Sequence, residues 1–292
     1  MKYYLGIDGG GTKTTAAIAD ENGTIISKTV GKTINFYAVG MDTARNNLSA
    51  LIKETGIGSF EAAFIGCSAL DSRADSETLN ALCGGIINAE KICMDSDLYV
   101  ALRSASGNAV AVCGTGSMAI GEKADGSLAV KGGWGHIIGD EGSAYSIAVR
   151  ALRLCCADCD KNVASTLLKS AEEYFGVDLF RKAIDVIYSP DTAKDKIAGF
   201  ASMVGTLAEN GNGEALEIVT SEAKAFAETV ISLIKELDEC RILTLCGGVF
   251  EHNAIFRNEF AKAVNLEFPQ TEIRLTEIPP EEGALKAAME LK

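Results

Sequence analysis

Two glycine-rich turns have the residue types that phosphate binding requires. The first is the run DGGGTKT at residues 8–14, and the second is the run GTGS at residues 114–117. Glycine lets backbone N–H groups approach an anion closely, and the hydroxyls of Thr12 and Thr14 add further donors. A single turn of this kind could equally be a tight hairpin with no ligand. Two copies, one of them preceded by Asp8, favour a nucleotide held from two sides.

Each turn lies within the same succession of apolar, strand-like segments. The segments are, in chain order, 3–7, 14–19 and 24–27 around the first turn, and 109–113, 118–121 and 127–130 around the second. An Asx-Gly turn, at Asn22-Gly23 and again at Asp125-Gly126, separates the last two segments of each set. This pattern is typical of an antiparallel meander. The repeat therefore predicts a duplicated α/β domain.

Two better-known phosphate motifs do not fit the first turn. The spacing of Gly6 and Gly11 matches a phosphate loop, but Thr12 stands where that motif needs its lysine. A phosphate loop and a dinucleotide fingerprint both lead from a strand into a helix. Residues 14–19 are instead short, rich in strand formers and closed by a turn, so we expect a hairpin.

The composition favours an intracellular enzyme with two lobes. The chain has 292 residues, of which 47% are hydrophobic and 23% charged, enough for two cores. No leader-like or membrane-spanning apolar run is present, so we expect a cytoplasmic protein without a membrane partner. The net charge of −13, with dispersed Lys and Arg, argues against nucleic acid. An anionic cofactor would then need backbone dipoles and a metal ion.

Cysteine and histidine do not indicate a metal centre. Most of the nine cysteines lie singly in apolar stretches, where cysteine behaves as a small hydrophobic residue. The exception is the cluster Cys155-Cys156-x-x-Cys159, which lies in a predicted helix without a second ligand pair. The two histidines, His136 and His252, are too few for a histidine-based scheme.

The remaining sequence alternates between helical and strand-like patterns. Predicted helices are 43–54, 76–88 and 98–104, a helical region at 143–237 with breaks near Gly176, Pro190 and Gly211, and helices from Asn253 and Glu281. Predicted strands are 62–66, 91–94, 241–246 and an edge strand at 272–275. We expect an N-terminal domain at 1–106 and a C-terminal domain with a helical insertion at 107–292. The terminal helix, 281–292, is a candidate to pack back on the first domain.

Four motifs together resemble a known family. They are DGGGTKT from residue 8, CGTGS from residue 113, GGWGHIIGDEGSA from residue 132 and LCGGVF from residue 245. In this order they resemble the N-acetylglucosamine kinase branch of the BadF/BadG/BcrA/BcrD-type ATPases, within the superfamily of actin-like sugar kinases and Hsp70. The resemblance implies two ribonuclease H-like domains with a cleft between two lobes. It also implies ATP-dependent phosphorylation of an amino sugar, above all N-acetylglucosamine at its C6 hydroxyl, and a possible homodimer.

The resemblance assigns the nucleotide and metal contacts. The implied ATP contacts are Gly10, Gly11, Thr12 and Lys13 in the first turn, Thr115 and Gly116 in the second, and Gly247 and Gly248 beside the adenosine. Asp8 would hold Mg²⁺, which keeps much of its water and needs few carboxylates. Gly211 falls where the family has another adenosine contact, although it could equally be a turn between helices.

The resemblance also assigns a catalytic base and a sugar site. The base would be Asp97, which follows a first-lobe strand, and Asp95 is the second candidate. Asp97 could alternatively, or in addition, be the N-cap or a first-turn acid of the next helix. The implied sugar contacts are Asn35, Ser68, Gly133, Trp134, Gly135, Asp140 and Asp97 itself. For Trp134 the alternative is ordinary core packing. The neighbours of Asn35 and Ser68 depart from the family pattern, so the identity of the sugar is less well specified than kinase activity.

Other acceptor sugars and two other classes of protein besides the kinase remain open in the sequence. Glucosamine or N-acetylmuramic acid could be the acceptor, and the wider family includes ATPases that activate a reductase or dehydratase. Such activators bind a cluster through cysteines, for which Cys155 to Cys159 is the candidate here. An ATP-driven interaction module is a third class, but the chain lacks a recognisable peptide-binding domain.

Overall fold

The chain forms two compact units, of which the first is discontinuous in sequence. The computed structural model describes residues 2–178, 180–189 and 194–291. Unit 1 comprises Met1–Ser106 and Thr276–Lys292, and unit 2 comprises Gly107–Leu275. The predicted break at Pro190 lies outside the described residues.

Unit 1 is built on a five-stranded mixed sheet of order β3-β2-β1-β4-β5. Its strands are β1 (Tyr3–Gly9), β2 (Lys13–Asp20), β3 (Ile25–Lys32), β4 (Phe60–Cys67) and β5 (Ala89–Asp95). Its helices are α1 (Phe36–Val39), α2 (Met41–Thr55), α3 (Ser76–Cys83), α4 (Asp97–Ser104) and α13 (Pro280–Met289). The strands β1 to β3 form an antiparallel meander, and β4 and β5 continue the sheet parallel to β1.

Unit 2 repeats this sheet, with order β10-β9-β6-β7-β8. Its strands are β6 (Ala109–Cys113), β7 (Ser117–Glu122), β8 (Leu128–Gly132), β9 (Ile242–Cys246) and β10 (Glu272–Leu275). Its helices are α5 (Ala144–Asp160), α6 (Thr166–Phe175), α7 (Ala183–Ile187), α8 (Lys194–Ala198), α9 (Phe200–Glu209), α10 (Gly213–Ile234), α11 (Gly248–His252) and α12 (Ala254–Glu267), with a 3₁₀ turn at Phe180–Lys182. In both sheets the meander's first strand is central and two parallel strands follow it, so the predicted duplicated α/β fold is confirmed.

The main differences from the sequence prediction are at helix ends. The helix predicted over 76–88 ends at Cys83, because Gly84 and Gly85 follow and Gly85 has a left-handed φ of 73°. The predicted breaks at Gly176 and Gly211 are confirmed, with φ of 68° and 84°. The one-turn helices α1 and α11 were not predicted, because so short a helix has no periodic pattern. The predicted edge strand 272–275 is confirmed as β10.

Each unit has its own core. In unit 1, Leu5, Ile7 and Ile18 of the meander pack with α2 and β4. In unit 2, a larger core forms around α10, including Phe226 and Phe250. Among the described residues, none of the helices combines the length and the apolar character that crossing a membrane would require.

The helix α13 returns the chain to unit 1. It packs on β1 and α4, and its backbone comes so close to Gly6 that a Cβ there would lie 2.2 Å from the Leu285 nitrogen. On the α4 side, a Cβ at Gly283 would lie 2.0 Å from the Ser104 hydroxyl oxygen. Glycine at both positions therefore lets α13 approach the sheet and α4.

Candidate functional site

The first glycine turn connects β1 to β2, whose pairing ends at Gly9 and Thr14. Gly9 is required by packing, since a Cβ there would lie 2.7 Å from both the Gly66 carbonyl and the Ile34 side chain. Gly11 is different: its φ is not left-handed, and a Cβ would meet nothing within 4 Å. Gly11, Thr12 and Lys13 are exposed. The fold itself does not require glycine at Gly11, so the turn offers open space beside its backbone.

Hydrogen bonds connect Asn35 and Ser68, two predicted sugar-binding residues, to the first glycine turn. The Thr33 hydroxyl donates to the Gly10 carbonyl at 2.7 Å, and the Ser68 N–H donates to the Gly9 carbonyl at 2.8 Å. The Asn35 amide then donates to the Ser68 hydroxyl at 3.0 Å. Its Oδ1 accepts from two backbone N–H groups as the N-cap of α1, which fixes the orientation of the amide. The structure thus brings Asn35 and Ser68 together beside the first turn.

The carboxylates of Asp8, Asp95 and Asp97 lie at the same edge of the unit 1 sheet. Asp8, Gly66 and Asp95 share one row of the parallel strands, and Asp97 follows directly at the start of α4. In open α/β sheets, ligands bind outside the carboxyl ends of parallel strands. Burial raises the pKa of the Cys67 thiol to about 11, with smaller contributions from the charges of Asp97 and Asp8. Asp8 and Asp97 are therefore both near the end of β4, which Ser68 follows in the chain.

The pKa values of Asp8 and Asp97 are both raised, and the charge of Asp97 contributes to the shift of Asp8. Burial raises the pKa of Asp8 to about 6, and repulsion from Asp97 and then Glu281 adds to the shift, opposed by Lys13. Burial also raises the pKa of Asp97, opposed by backbone N–H groups of Leu98 and of Asp97 itself. Carboxylates with raised pKa values in one site are typical of proton transfer or of cation binding.

Asp97 and Asp95 have different surroundings. Ser96 is the N-cap of α4, its hydroxyl accepting from the Tyr99 N–H at 3.2 Å. Asp97 is therefore not the N-cap but the acid in the first turn of this helix. Asp95 is 4% exposed, accepts from the Ser96 N–H at 2.8 Å and faces the Arg73 guanidinium at 3.5 Å. Asp95 is thus engaged in structural contacts, and Asp97 is the better candidate for a base.

The donor set in unit 1 suits a magnesium ion that is shared with phosphates. Mg²⁺ is usually bound by one or two carboxylates together with substrate phosphates and water. Among the described residues, no group of three or more His, Cys, Asp or Glu side chains could hold a metal ion by themselves. Burial, and to a smaller extent repulsion from Asp97 and Glu281, raises the pKa of Asp8, so a bound cation would stabilise its charged form. Cys155 is buried and Cys156 exposed, and burial raises the pKa of both thiols, which disfavours thiolate ligands.

The second glycine turn connects β6 to β7, paired up to Cys113 and Ser117. The Gly114 N–H donates to the Gly116 carbonyl at 2.9 Å, which closes the turn. The Thr115 hydroxyl donates to the Asp195 carboxylate at 3.0 Å. A Cβ at Gly116 would lie 2.9 Å from Asp140 Oδ2, so the Asp140 carboxylate lies directly against the turn.

The segment that carries Trp134 and Asp140 follows β8. Gly133, Gly135 and Asp140 all have left-handed φ, of 73°, 84° and 60°. Asp140 is 5% exposed; its carboxylate accepts from the Gly135 N–H at 3.2 Å and pairs with Lys194 at 3.3 Å. Trp134 is 74% exposed, so it is not a core residue. Its ring is available for a ligand, whereas Asp140 is held in place by several contacts.

Unit 2 also contains a cavity of about 470 Å³. Its lining includes Gly114, Thr115, Asp195, Ala198, Gly199, Ala201, Ser202, Gly205, Thr206, Glu209, Gly248, His252 and Asn253. Gly247 is adjacent, and there a Cβ would lie 2.5 Å from the Cys113 carbonyl, which together with a φ of 103° requires glycine. The structure thus brings Thr115 and Gly248 together. Gly211 lies in the turn between α9 and α10, outside the lining.

Sequence reasoning missed one side of this cavity. Small residues at 198, 199, 201, 202 and 205 follow helical spacing and leave a helix face without large side chains. That spacing could have been recognised in the sequence. The bond from Thr115 to Asp195 could not, because the two residues are 80 positions apart.

The duplicated fold places the chain among proteins of known architecture. A candidate N-acetylglucosamine kinase of Chromobacterium violaceum superposes with a TM-score of 0.74 and 20% identity, covering 98% of each chain. The two units have equivalent strand orders, each with a glycine turn after its first strand, and the likeness to this structure shows the fold of the chain. The model of the BadF/BadG/BcrA/BcrD ATPase family matches residues 5–290, and the chain belongs to that family.

Two characterised relatives are similar over nearly the full chain. An N-acetylmuramic acid/N-acetylglucosamine kinase of Clostridium acetobutylicum is 27% identical over 287 residues, which cover 94% of each protein. An N-acetyl-D-glucosamine kinase of Dictyostelium discoideum is 28% identical, covering 100% of this chain and 99% of the relative.

Proposed function

We propose that this protein is an ATP-dependent kinase that phosphorylates the C6 hydroxyl of N-acetylglucosamine. The observation that carries the proposal is the arrangement at one sheet edge of unit 1. There the Asn35–Ser68 pair, the first glycine turn and the acids Asp8 and Asp97 occur together. Hydroxyl-binding groups, a base and a phosphate turn are the parts that a sugar kinase needs.

Asp97 is the proposed base. Phosphoryl transfer needs little covalent help from the protein, so the base mainly orients the acceptor hydroxyl. As the bond from that oxygen to the γ-phosphorus forms and the bond to the leaving ADP breaks, Asp97 accepts the hydroxyl proton. A pKa raised by burial favours this role, because the carboxylate is a stronger proton acceptor than an exposed one.

The proposed nucleotide contacts include residues of both glycine turns. We propose that the adenosine occupies the unit 2 cavity beside Gly247 and Gly248, with Thr115 and Gly116 as phosphate contacts. In unit 1 the proposed phosphate contacts are Gly10, Gly11, Thr12 and Lys13. Magnesium held by Asp8 would neutralise phosphate charge when bound. Gly211 stays a proposed second adenosine contact, although its left-handed φ of 84° in the turn between α9 and α10 equally accounts for the glycine.

The sugar contacts proposed are Asn35 and Ser68, together with Gly133, Trp134, Gly135 and Asp140. The Asn35 amide has a second hydrogen besides the one that it donates to Ser68, and the Ser68 hydroxyl can both donate and accept. An exposed aromatic ring such as Trp134 gives an apolar surface for the N-acetyl methyl group. The names of both characterised relatives include N-acetylglucosamine, which supports this acceptor.

A coupled assay of ADP release tests the proposal. N-acetylglucosamine, N-acetylmuramic acid, glucosamine, N-acetylmannosamine and glucose are compared with saturating Mg²⁺ and ATP. We expect kcat/KM for N-acetylglucosamine to exceed that for glucose by at least ~10-fold, since glucose lacks the acetamido group and the contacts proposed for it. Phosphorus NMR should show a C6 monoester. Equal use of both sugars, or a C1 phosphate, would refute the proposal.

A further inference from the structure

A buried carboxylate in the middle of α10 contacts the segment that carries Asp140. Glu222 is 7% exposed, and its Oε2 accepts from the Gly142 N–H at 2.8 Å and from the Ser146 hydroxyl at 2.8 Å. Its Oε1 faces the Arg150 guanidinium at 3.5 Å. A buried carboxylate is costly unless its oxygens are hydrogen bonded. Glu222 therefore fixes this segment to α10 while its own charge is satisfied.

The segment has an unusual conformation that needs such support. Asp140, a residue with a Cβ, has a φ of 60°, and Gly142 has a φ of 79°. A left-handed φ in a non-glycine residue is energetically unfavourable and persists only when its surroundings enforce it. A Cβ at Gly142 would lie 2.6 Å from Phe226 and 2.9 Å from the Glu222 carbonyl. The backbone of this segment thus lies directly on α10.

The opposite side of the segment contacts the second glycine turn. The Ser117 hydroxyl donates to the Glu141 carbonyl at 2.7 Å, and the Ala144 N–H donates to the Gly114 carbonyl at 2.9 Å. The turn is also closed by its own bond between Gly114 and Gly116. Because the turn has this bond of its own, we expect loss of Glu222 to disturb the segment more than the turn.

We propose that Glu222 is a positioning residue, which holds the left-handed backbone at Asp140 and so directs the Asp140 carboxylate towards the acceptor sugar. This inference rests on the proposed function, in which Asp140 binds the acceptor. Glutamine at 222 keeps an oxygen that can accept from Gly142. Alanine leaves the Gly142 N–H without that acceptor.

The test compares Glu222→Ala with the matched control Glu222→Gln, using N-acetylglucosamine as the probe. We expect Glu222→Ala to raise the KM for N-acetylglucosamine at least ~10-fold, as expected for an unpaired buried N–H, with the KM for ATP within about threefold. Glu222→Gln should keep both values within about threefold of the wild type. Because Glu222 acts through Asp140, Glu222→Ala should add less than about twofold in an Asp140→Asn background.

A purely structural role predicts a different result. An unchanged sugar KM, equal increases in both KM values, or full additivity with Asp140→Asn would overturn the proposal. If Glu222→Ala does not fold, Glu222→Asp replaces it, since aspartate withdraws the carboxylate by one methylene.

Hydrogen exchange separates this proposal from the proposed function. The amides of residues 139–142 should exchange faster in Glu222→Ala than in Glu222→Gln, whatever the enzyme's substrate. Equal exchange in the two variants would overturn the positioning role. A wild-type protein with no turnover on any sugar would instead refute the proposed function.

Discussion

The clearest chemical distinction in this protein is between two neighbouring acids, Asp95 and Asp97. Asp95 is buried and bonded to Ser96 and Arg73, whereas Asp97 has a raised pKa and lies near Asp8. Asp97→Asn should lower kcat by ~10²- to 10⁴-fold, because the hydroxyl proton loses its acceptor. ATP affinity, measured by calorimetry, should hardly change.

Asp95→Asn is the matched control for this prediction. It keeps an oxygen for the Ser96 N–H, so kcat should stay within a few-fold of the wild type. A nearly normal Asp97→Asn enzyme with an inactive Asp95→Asn enzyme would reverse the assignment.

In the metal-free protein, the buried charge of Asp8 should lower the free energy of unfolding at neutral pH relative to a variant without that charge. Its folded pKa of about 6 lies above the ordinary value of 3.8, so its favourable contribution exists at low pH and is lost as pH rises through about 6. Asp8→Asn removes this charge and should increase the free energy of unfolding at pH 8 by up to about 3 kcal/mol, while abolishing activity.

Thermal unfolding in a chelator at pH 8 and pH 4.5 measures this effect. The difference between Asp8→Asn and wild type should shrink at the lower pH. A variant less stable than wild type at pH 8 would show that Asp8 makes a net stabilising contact.

At the scale of elements, α9 offers a face of small residues to the unit 2 cavity. Ser202 is exposed and lines that cavity, so Ser202→Phe should fill it with little cost to the core. We expect the KM for ATP to rise at least ~10-fold, because the ring excludes the adenosine. Ser232→Phe, at an exposed serine of α10 outside the lining, is the control and should leave the KM unchanged. Unaltered ATP binding in Ser202→Phe would place the adenosine elsewhere.

The elements also show how far sequence reasoning reaches. Both meanders were predictable, because short apolar segments joined by glycine-rich and Asx-Gly turns specify hairpins locally. The end of α3 at Cys83 was misplaced because the apolar pattern continues beyond the point where Gly84 and Gly85 stop the helix. Asp195 and Glu222 were missed, since their partners Thr115 and Gly142 are brought to them only by tertiary packing. The pairing of two chains stays a prediction.

At the scale of the whole molecule, Gly6 and Gly11 of unit 1 differ in how closely the rest of the chain packs against them. Gly6 allows α13 to touch β1, while Gly11 in the adjoining turn has free space around it. Gly6→Ala should destabilise the protein by about 1–3 kcal/mol, because its methyl group would overlap the α13 backbone. Gly11→Ala should leave stability within about 0.5 kcal/mol, as expected away from packing constraints. Chemical denaturation checks both values, and equal stability of the two variants would show that α13 can shift freely.

The return of α13 to unit 1 sets an order for biosynthesis. Unit 2 is continuous from Gly107 to Leu275, so a ribosome delivers all of it in one stretch. Unit 1 is different, because Ala17, Ala19 and Phe64 stay without the cover of α13 until residues 280–289 have left the exit tunnel. The half that is translated first is thus completed after the other half. A nascent chain halted before Thr276 would carry a complete unit 2 and, in unit 1, an open apolar sheet, the kind of surface that chaperones bind.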